Sequence, residues 1–163
     1  MIVYHGSTEI IKNPDVVHSK KYLDFGQGFY ITTFESQARK WAVRKGMRQE
    51  KTAVVNVYEL SEKWDDFKVL SFERENEKWL DFVCGCRKGE PLNKEYDIII
   101  GNVADDDVFK TVDMYFRGLW GKERVLDELR YYKMNDQICI VNQETLDQLI
   151  TFKRAYEVEN DGK

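Results

Sequence analysis

Two short stretches of the sequence combine residue types that a ligand site needs. In the first, His5-Gly6-Ser7, a ring nitrogen of His5 could donate a hydrogen bond to a hydroxyl, and Ser7 adds a hydroxyl of its own. Gly6 has no side chain, so a flat ligand could reach its backbone N–H and C=O. Together these groups suit a primary carboxamide. The alternative is a satisfied histidine beside a turn glycine, which is the commoner meaning of so short a motif.

The second stretch, DFGQGFYITT, begins at Asp24 and leads through two glycines into an aromatic residue. Gly26 and Gly28 allow a tight turn and a close approach of a ligand to the backbone. Tyr30 follows at once, and its ring could offer a π face to a cationic ring. The third glycine of the dinucleotide-binding fingerprint is missing. The alternative is a glycine turn that leads into a core strand.

A third stretch, NDQICIV, puts polar side chains at the start of a late apolar run. Either Asp136 or Gln137 could hydrogen-bond a ribose hydroxyl. Because successive strand residues face opposite sides of a sheet, only one of the two can point into a shared cleft. A polar strand edge is the alternative.

The elements that must position these residues follow from the hydrophobic pattern. Alternating or β-branched runs predict strands, and apolar residues at helical spacing predict helices. We expect strands over 1–5, 29–32, 53–60, 64–70, 96–100 and 137–141, and helices over 36–45, 71–84, 105–116, 122–129 and 143–150. Gly46 is expected to end the first helix and Ser71 to cap the second. The mixture predicts one α+β domain over 1–155, followed by a polar tail over 156–163.

Composition limits the classes of function. The 163 residues carry a net charge of −4, so the bulk charge gives no support for a polyanion binder, although a local basic strip runs from Arg39 to Arg48. No apolar run approaches the length of a membrane span, and no signal peptide is evident. The three cysteines, Cys84, Cys86 and Cys139, are therefore expected to be reduced thiols in the cytoplasm. A C-x-C spacing far from both histidines predicts no metal site.

Taken together, the three stretches resemble the ADP-ribosyltransferases of the diphtheria-toxin and poly(ADP-ribose) polymerase branch. That branch is marked by a histidine in an H-G-[ST] strand, a tyrosine in a G-x-G-x-Y strand and a glutamate that begins a late strand. From Tyr4 to Phe152 the chain also resembles a bacterial family of unknown function within that superfamily. The blocks that carry this closer resemblance are VYHGS, DFGQGFYITT with QARKWA, YDIIIGNVADD and DQICIVNQETLDQL. The resemblance implies a split β-sheet core flanked by helices.

The resemblance also implies that NAD is the substrate and that His5, Tyr30 and Gln137 are the catalytic residues. The residues that would bind NAD are His5, Gly6, Ser7, Tyr22, Asp24, Gly28 and Tyr30. By this resemblance His5 would donate to the 2′-hydroxyl of the adenosine ribose. Gly6 and Ser7 would hold the nicotinamide carboxamide, and Tyr30 would stack on the nicotinamide ring. Tyr22 would supply a second aromatic wall, and Asp24 would orient the loop.

The late strand departs from the family pattern, because no glutamate stands there. A gapless match puts Asp136 at that position, whereas the closer family resemblance favours Gln137. A neutral amide stabilises the positive charge of an oxocarbenium-like state less well, and losing one preorganised group of this kind can cost about 3–4 kcal/mol. An amide also cannot act as a base, which argues against poly(ADP-ribose) elongation.

The expected function is therefore a mono-ADP-ribosyltransferase that uses NAD and modifies a protein or nucleic-acid acceptor. Such an enzyme would fit the toxin of a bacterial toxin–antitoxin pair, with an antitoxin protein as its partner. The alternative is a catalytically weak module that binds NAD or ADP-ribose and acts through a partner. The acidic block from Val103 to Asp107 is expected to serve the start of a helix, with activation of an acceptor as a second hypothesis.

Overall fold

A computed structural model of the protein describes residues 1–74, 76–104, 106–129 and 135–159, without the side chains of residues 106 and 107. Within those residues the chain forms seven strands, five α-helices and one short 3-10 helix, which confirms the α+β class. In chain order they are β1 (Ile2–Ser7), β2 (Phe29–Ile31), α1 (Glu35–Gln49), β3 (Ala53–Leu60), β4 (Val69–Ser71), α2 (Glu77–Arg87), the 3-10 helix (Leu92–Glu95), β5 (Ile98–Gly101), α3 (Asp106–Phe116), α4 (Lys122–Leu129), β6 (Gln137–Ile140), α5 (Gln143–Leu149) and β7 (Ile150–Val158).

The strands form two sheets that meet at one point. The first sheet has the order β1-β3-β7, and the second has the order β2-β6-β5-β4. Only β4 and β5 pair in parallel; the other named pairs are antiparallel. Among the residues that the structure describes, one bridge joins the sheets, where Tyr4 and Thr32 exchange backbone hydrogen bonds of 2.9 and 3.0 Å. Beyond this bridge β1 and β2 separate, and the gap between them becomes the cleft described below.

Alternation along the strands explains how the layers pack. Ile98, Ile138 and Ile140 of the second sheet face Val3 and Tyr58 of the first, and together they form the core between the sheets. The intervening residues Ile99 and Cys139 face the opposite way, against α2, α3 and α4. On the far side of the first sheet, α1 packs Ala38 and Ala42 against Val55 and Val57. The central strand β3 is buried on both faces for this reason, and so it is almost continuously apolar.

Two predicted helix boundaries are wrong. Gly46 does not end α1 but lies buried inside it. Glycine is needed at this position because a Cβ would come within 2.7 Å of the Lys51 carbonyl oxygen. The helix ends at Gln49, and its C-cap Glu50 has a left-handed φ of 54°. Ser71 does not cap α2 either, since it ends β4. Asn76 is the cap, and its side chain accepts the Trp79 N–H at 2.9 Å.

The predicted strand over 64–70 is mostly wrong as well, because β4 contains only Val69–Ser71. Trp64 instead donates its indole N–H to the Ser61 carbonyl in a local turn. The largest omission is β7, which forms a complete edge of the first sheet and continues through Val158, past the expected tail boundary at 155. None of the described helices is long and apolar enough to cross a membrane.

Candidate functional site

A cleft opens where β1 and β2 separate. Its volume is about 1090 Å³, and His5, Tyr30 and Gln137 all line it, each from a different strand. If the antiparallel pairing of β1 with β2 continued past the Tyr4–Thr32 bridge, the next hydrogen-bonded pair would be Gly6 and Tyr30. Instead the Tyr30 carbonyl accepts a hydrogen bond from the His5 ring, with 2.6 Å between Nδ1 and O. The side chain of His5 therefore takes over a backbone bond at the point where the sheets part.

This contact decides the protonation state of His5. A carbonyl oxygen can only accept, so Nδ1 carries the proton. The ring also stacks on Phe29 at a centroid distance of 4.6 Å. The pKa of His5 is lowered to about 4, mainly because the ring is removed from water. The hydrogen bond to the Tyr30 carbonyl raises this pKa in part, and the positive charge of Lys45 lowers it slightly further. At neutral pH His5 is therefore a neutral imidazole, and its Nε2 accepts hydrogen bonds. The expected direction is reversed: a ligand hydroxyl would donate to His5.

Gly6 presents its backbone edge to the cleft. Tyr4 uses its N–H and C=O on Thr32, and Gly6 stands two residues further along the same strand, so its own N–H and C=O point to the same side. The absence of a side chain has a structural reason too, because a Cβ on Gly6 would lie 2.3 Å from the Ala38 carbonyl oxygen of α1. Ser7, which also lines the cleft, follows as a buried hydroxyl residue. The carboxamide-binding groups expected from the sequence thus lie on one wall.

Tyr30 has a half-buried ring that lines the cleft and a hydroxyl that organises the preceding loop. The hydroxyl donates to the Gly26 carbonyl and accepts the Phe25 N–H at 3.0 Å. Burial raises the pKa of the Tyr30 hydroxyl, which is therefore a neutral donor at physiological pH. Gly28 lines the cleft as well, and a Cβ there would come within 2.5 Å of the Cys139 sulfur. The second motif glycine is thus required by packing between β2 and β6.

Gln137 and Asp24 form a buried pair at the base of the cleft. Gln137 is 4% exposed, and its Nε2 donates to Asp24 Oδ2 over 3.0 Å and, more weakly, to the Asn102 carbonyl at 3.4 Å. Both partners accept only, so the amide orientation is fixed and Oε1 remains as the acceptor offered to the cleft. Asp24 Oδ2 also accepts the Ala104 N–H at 3.0 Å, while Oδ1 binds the Arg87 guanidinium. Asp24 thereby connects three parts of the fold, which are the loop that precedes β2, the helix α2 and the strand β6.

Asp136 points away from the cleft. Its carboxylate accepts the Thr32 hydroxyl at 2.7 Å and the Thr33 N–H at 2.9 Å, and it also binds the Thr33 hydroxyl. Asp136 is not among the residues that line the cleft, whereas Gln137 is. The carboxylate of Asp136 is used to fix the turn between β2 and α1.

Tyr22 does not line the cleft, so the expected second aromatic wall is not there. Its ring is exposed and lies over Gly89, where a Cβ would approach it to 2.7 Å. Trp41, on α1, is an aromatic residue that does line the cleft. The sequence contained a signal for it: Trp41, Lys45 and Arg48 recur at helical spacing, and this one face of α1 turns toward the cleft.

The long connection between β1 and β2 closes one side of the cleft and is firmly attached to the first sheet. The buried side chain of Asn56 accepts the Ile11 N–H at 2.8 Å and donates to the Glu9 carbonyl at 2.9 Å. The Tyr58 hydroxyl donates to the Ile11 carbonyl at 2.6 Å. These bonds give the cleft a defined wall although the connection contains no strand or helix.

A profile described as "Protein of unknown function (DUF3990)" matches residues 1–152. The chain belongs to this family. No curated protein matches the chain. The description of the DUF3990 family assigns no activity.

The cysteines of this DUF3990 protein lie in its core. Cys84, Cys86 and Cys139 are all buried and free, and burial raises their pKa values to about 11, 12 and 12. They are therefore protonated packing residues at neutral pH. In the described part of the chain no cluster of three or more histidine, cysteine or acidic side chains could hold a metal ion.

The acidic block of this DUF3990 protein is described only at its beginning. Val103 donates its N–H to the Asn135 side chain at 2.8 Å, and Ala104 donates to Asp24. Asp105 and the side chains of Asp106 and Asp107 lie outside the described residues, and both hypotheses about this block remain predictions.

Proposed function

We propose that the protein is an NAD-dependent mono-ADP-ribosyltransferase. The observation that supports this most strongly is the convergence of His5, Tyr30 and Gln137 on one cleft from β1, β2 and β6. These residues are separated by 25 and 107 positions in the sequence, so their meeting is a property of the fold and not of one local motif. They are also the positions that resemble the functional residues of the ADP-ribosyltransferases.

In this proposal the nicotinamide lies against the wall formed by Gly6 and Ser7. The N–H and C=O of Gly6 match the acceptor and donor of a primary carboxamide, and the Ser7 hydroxyl can add a third bond. The rings of Tyr30 and Trp41 both line the cleft and would enclose the cationic pyridinium ring. Trp41 thus takes the part that the resemblance assigned to Tyr22.

The reaction breaks the bond between the nicotinamide nitrogen and C1′ of the ribose. The bonding electrons leave with the nicotinamide, which becomes neutral, and positive charge develops on the ribose. Gln137 Oε1 would accept a hydrogen bond from the 2′-hydroxyl of this ribose. The Asp24 carboxylate, one hydrogen bond behind the amide, polarises it and strengthens Oε1 as an acceptor. His5 Nε2 would accept from a hydroxyl of the second ribose.

The choice of acceptor follows from what the amide cannot do. Gln137 has no proton-accepting carboxylate, and the Asp24 carboxylate is already occupied by Arg87, Ala104 and Gln137. An acceptor must therefore bring a group that is nucleophilic by itself, or lose its proton to water. This favours the transfer of a single ADP-ribose over chain elongation.

The direct test is nicotinamide release. Purified protein is incubated with NAD, alone and with protein and nucleic-acid acceptors, and nicotinamide is measured by chromatography. Gln137→Ala and Trp41→Ala are expected to reduce the release at least tenfold, whereas Tyr22→Ala, outside the cleft, should behave like the wild type. Equal release by all four proteins, or no release with any acceptor tested, would contradict the transferase proposal.

A second candidate function is supported by the buried amide itself. A neutral Gln137 held by Asp24 can bind a ribose hydroxyl without providing the charge that bond cleavage needs. The protein would then be a module that binds NAD or ADP-ribose and acts through a partner. Calorimetry separates the two: binding of NAD with intact NAD recovered afterwards supports the module, and stoichiometric conversion supports the enzyme.

A further inference from the structure

The cleft is also lined by basic side chains that have no role in the nicotinamide and ribose contacts proposed above. Lys45 and Arg48 project from α1, and Lys20 comes from the connection between β1 and β2. Lys45 and Arg48 are three residues apart on one helix, so they lie on the same face, one turn after Trp41. This is the part of the predicted basic strip that turns inward.

The acidic residues of the cleft do not neutralise these cations. Asp24 is paired with Arg87, and Asp15 is paired with His18 over 2.5 Å. That leaves Glu9, whose charge acts on Lys45. Among the described residues, Lys20, Lys45 and Arg48 take part in no ion pair. Lys12 also lines the cleft, so four positive charges outside these ion pairs share its lining with a single carboxylate. The charges of Arg48 and Lys20 act directly on Lys45.

Lys45 carries the largest part of this unfavourable arrangement. Its side chain is half-buried, and burial lowers the pKa of its ammonium, with further lowering by Arg48 and Lys20 that Glu9 only partly offsets. A solvated surface lysine would avoid both penalties. The opposite side of α1 shows the contrast: Arg39 covers the Tyr156 ring, and Lys40 is exposed. A half-buried ammonium without an ion-pair partner is costly, and an anion in the cleft would reduce that cost.

We propose that Lys45, Arg48 and Lys20 form a phosphate-binding subsite that takes the diphosphate of a nucleotide. A diphosphate carries two or three negative charges on adjacent groups, which matches a row of cations better than an isolated carboxylate does. Lys45 also lies near enough to lower the pKa of His5 by its charge. The subsite therefore adjoins the ribose-binding end of the cleft, as a continuous ligand requires.

The proposal of a phosphate-binding subsite depends on the charges of the cleft and does not require that the protein turns over NAD. Only its assignment to a ligand that also occupies the nicotinamide wall rests on the proposed function. The same phosphate chemistry could come from the dinucleotide or from a phosphorylated acceptor, so the experiment separates these two sources.

The experiment is calorimetry with inorganic pyrophosphate, in low-salt buffer and again with added sodium chloride. The test variant is Lys45→Ala/Arg48→Ala. The matched control is Lys40→Ala/Lys51→Ala, which removes two positive charges outside this cleft. The test variant should bind pyrophosphate at least about tenfold more weakly, since two charged hydrogen-bond donors to the phosphate oxygens are lost. The control should stay within about twofold of the wild type, because screened surface charges contribute little.

Competition then identifies the source of the phosphate. Displacement of pyrophosphate by ADP-ribose, but not by adenosine or a 5′-phosphorylated oligonucleotide, assigns the subsite to the dinucleotide. Displacement by the oligonucleotide alone assigns it to a phosphorylated acceptor. The proposal is overturned if pyrophosphate does not bind the wild type, or if the test and control variants lose the same affinity. Pyrophosphate binding in the absence of any NAD binding would retain the subsite and reject the proposed function.

Discussion

The amide of Gln137 donates to the carboxylate of Asp24 over 3.0 Å, across 113 positions of sequence. This bond gives a structural reason for a glutamine at position 137, where the ADP-ribosyltransferases that the three sequence motifs resemble carry a glutamate. A carboxylate at 137 would face the carboxylate of Asp24 in a site that is almost closed to water. The glutamine is therefore part of a matched pair, and its amide is oriented by its neighbour.

The first prediction is that Gln137→Glu destabilises the protein and does not create a faster enzyme. Two carboxylates at this distance repel each other, and the donor to Asp24 is lost. We expect a loss of about 2 kcal/mol or more at pH 7.5, which corresponds to a fall in Tm of about 4–8 °C. The measurement is a thermal melt of variant and wild type, with nicotinamide release assayed in parallel.

The pH dependence of this variant has a definite sign. Repulsion by Asp24 raises the folded-state pKa of the new carboxyl above its unfolded value of about 4.3. The loss of stability of Gln137→Glu relative to the wild type is therefore largest at neutral pH. It becomes smaller as the pH falls through the raised folded-state pKa. Gln137→Met, which loses the hydrogen bond without adding a charge, should show a deficit independent of pH. A Gln137→Glu protein as stable as the wild type and faster with NAD would refute the pairing.

The second prediction concerns His5 and acid stability. Its folded-state pKa of about 4 lies below the unfolded value, so the unfolded chain binds an additional proton between about pH 6.5 and pH 4. Stability is fully present above this window and falls on acidification, with His5 contributing up to about 3 kcal/mol of the loss. Urea unfolding at pH 7 and pH 4.5 measures the difference.

Histidine variants assign the effect. His5→Gln can still donate to the Tyr30 carbonyl but does not titrate, so it should reduce the dependence on pH. His18→Gln removes the other histidine, which is exposed, and should leave most of the dependence in place. The same loss of pH dependence in both variants, or in neither, would be incompatible with a half-buried, neutral His5.

Several elements were predictable from the sequence because local pattern and packing agree there. Phe29–Ile31, Ala53–Leu60 and Gln137–Ile140 are apolar or β-branched runs, and the structure has strands there within a residue or two of expectation. The edge strand β7 was missed because Lys153, Arg154 and Glu157 give it the composition of a solvated tail. Charged residues are common on edge strands, which they protect from pairing with other chains.

The composition of the cleft was less predictable, because its partners meet only in three dimensions. A pattern search finds Tyr22 and Tyr30 close together in sequence, yet Tyr22 is directed toward Gly89 and α1 supplies Trp41 instead. Similarly, Gly46 has the residue type of a helix end, but close packing against Lys51 overrides that preference. In both cases a tertiary contact decides between local alternatives of similar energy.

The third prediction is that Gly6→Ala is destabilising even without a ligand. The new Cβ would lie 2.3 Å from the Ala38 carbonyl oxygen and 2.7 Å from the Ala42 nitrogen, and both are helix backbone that cannot rotate away. We expect a loss of about 1–3 kcal/mol in the free energy of unfolding, measured with urea. Gly121→Ala is the control, since a Cβ there meets nothing within 4 Å, and it should stay within about 0.5 kcal/mol of the wild type. Equal stability of the two variants would show that β1 and α1 do not pack this closely.

The fourth prediction separates the two candidate aromatic walls. Trp41 lines the cleft and Tyr22 does not, so only the loss of Trp41 should weaken the binding of NAD. Stacking of a ring on an aromatic side chain is worth about 1–3 kcal/mol, which corresponds to a roughly ten- to hundredfold loss of affinity in Trp41→Ala. Trp41→Phe keeps an aromatic face and should recover most of the affinity, while Tyr22→Ala should bind like the wild type.

Calorimetry with NAD and with nicotinamide alone locates the effect within the ligand. If Trp41 contacts the nicotinamide ring, Trp41→Ala weakens the binding of both ligands. The factor is smaller for free nicotinamide, because its ring is neutral whereas the ring of NAD is a cationic pyridinium. A loss confined to NAD would move Trp41 to the ribose or phosphate end, next to Lys45 on the same helix face. Weaker binding by Tyr22→Ala than by Trp41→Ala would contradict the cleft described above, provided that circular dichroism shows both variants to be folded.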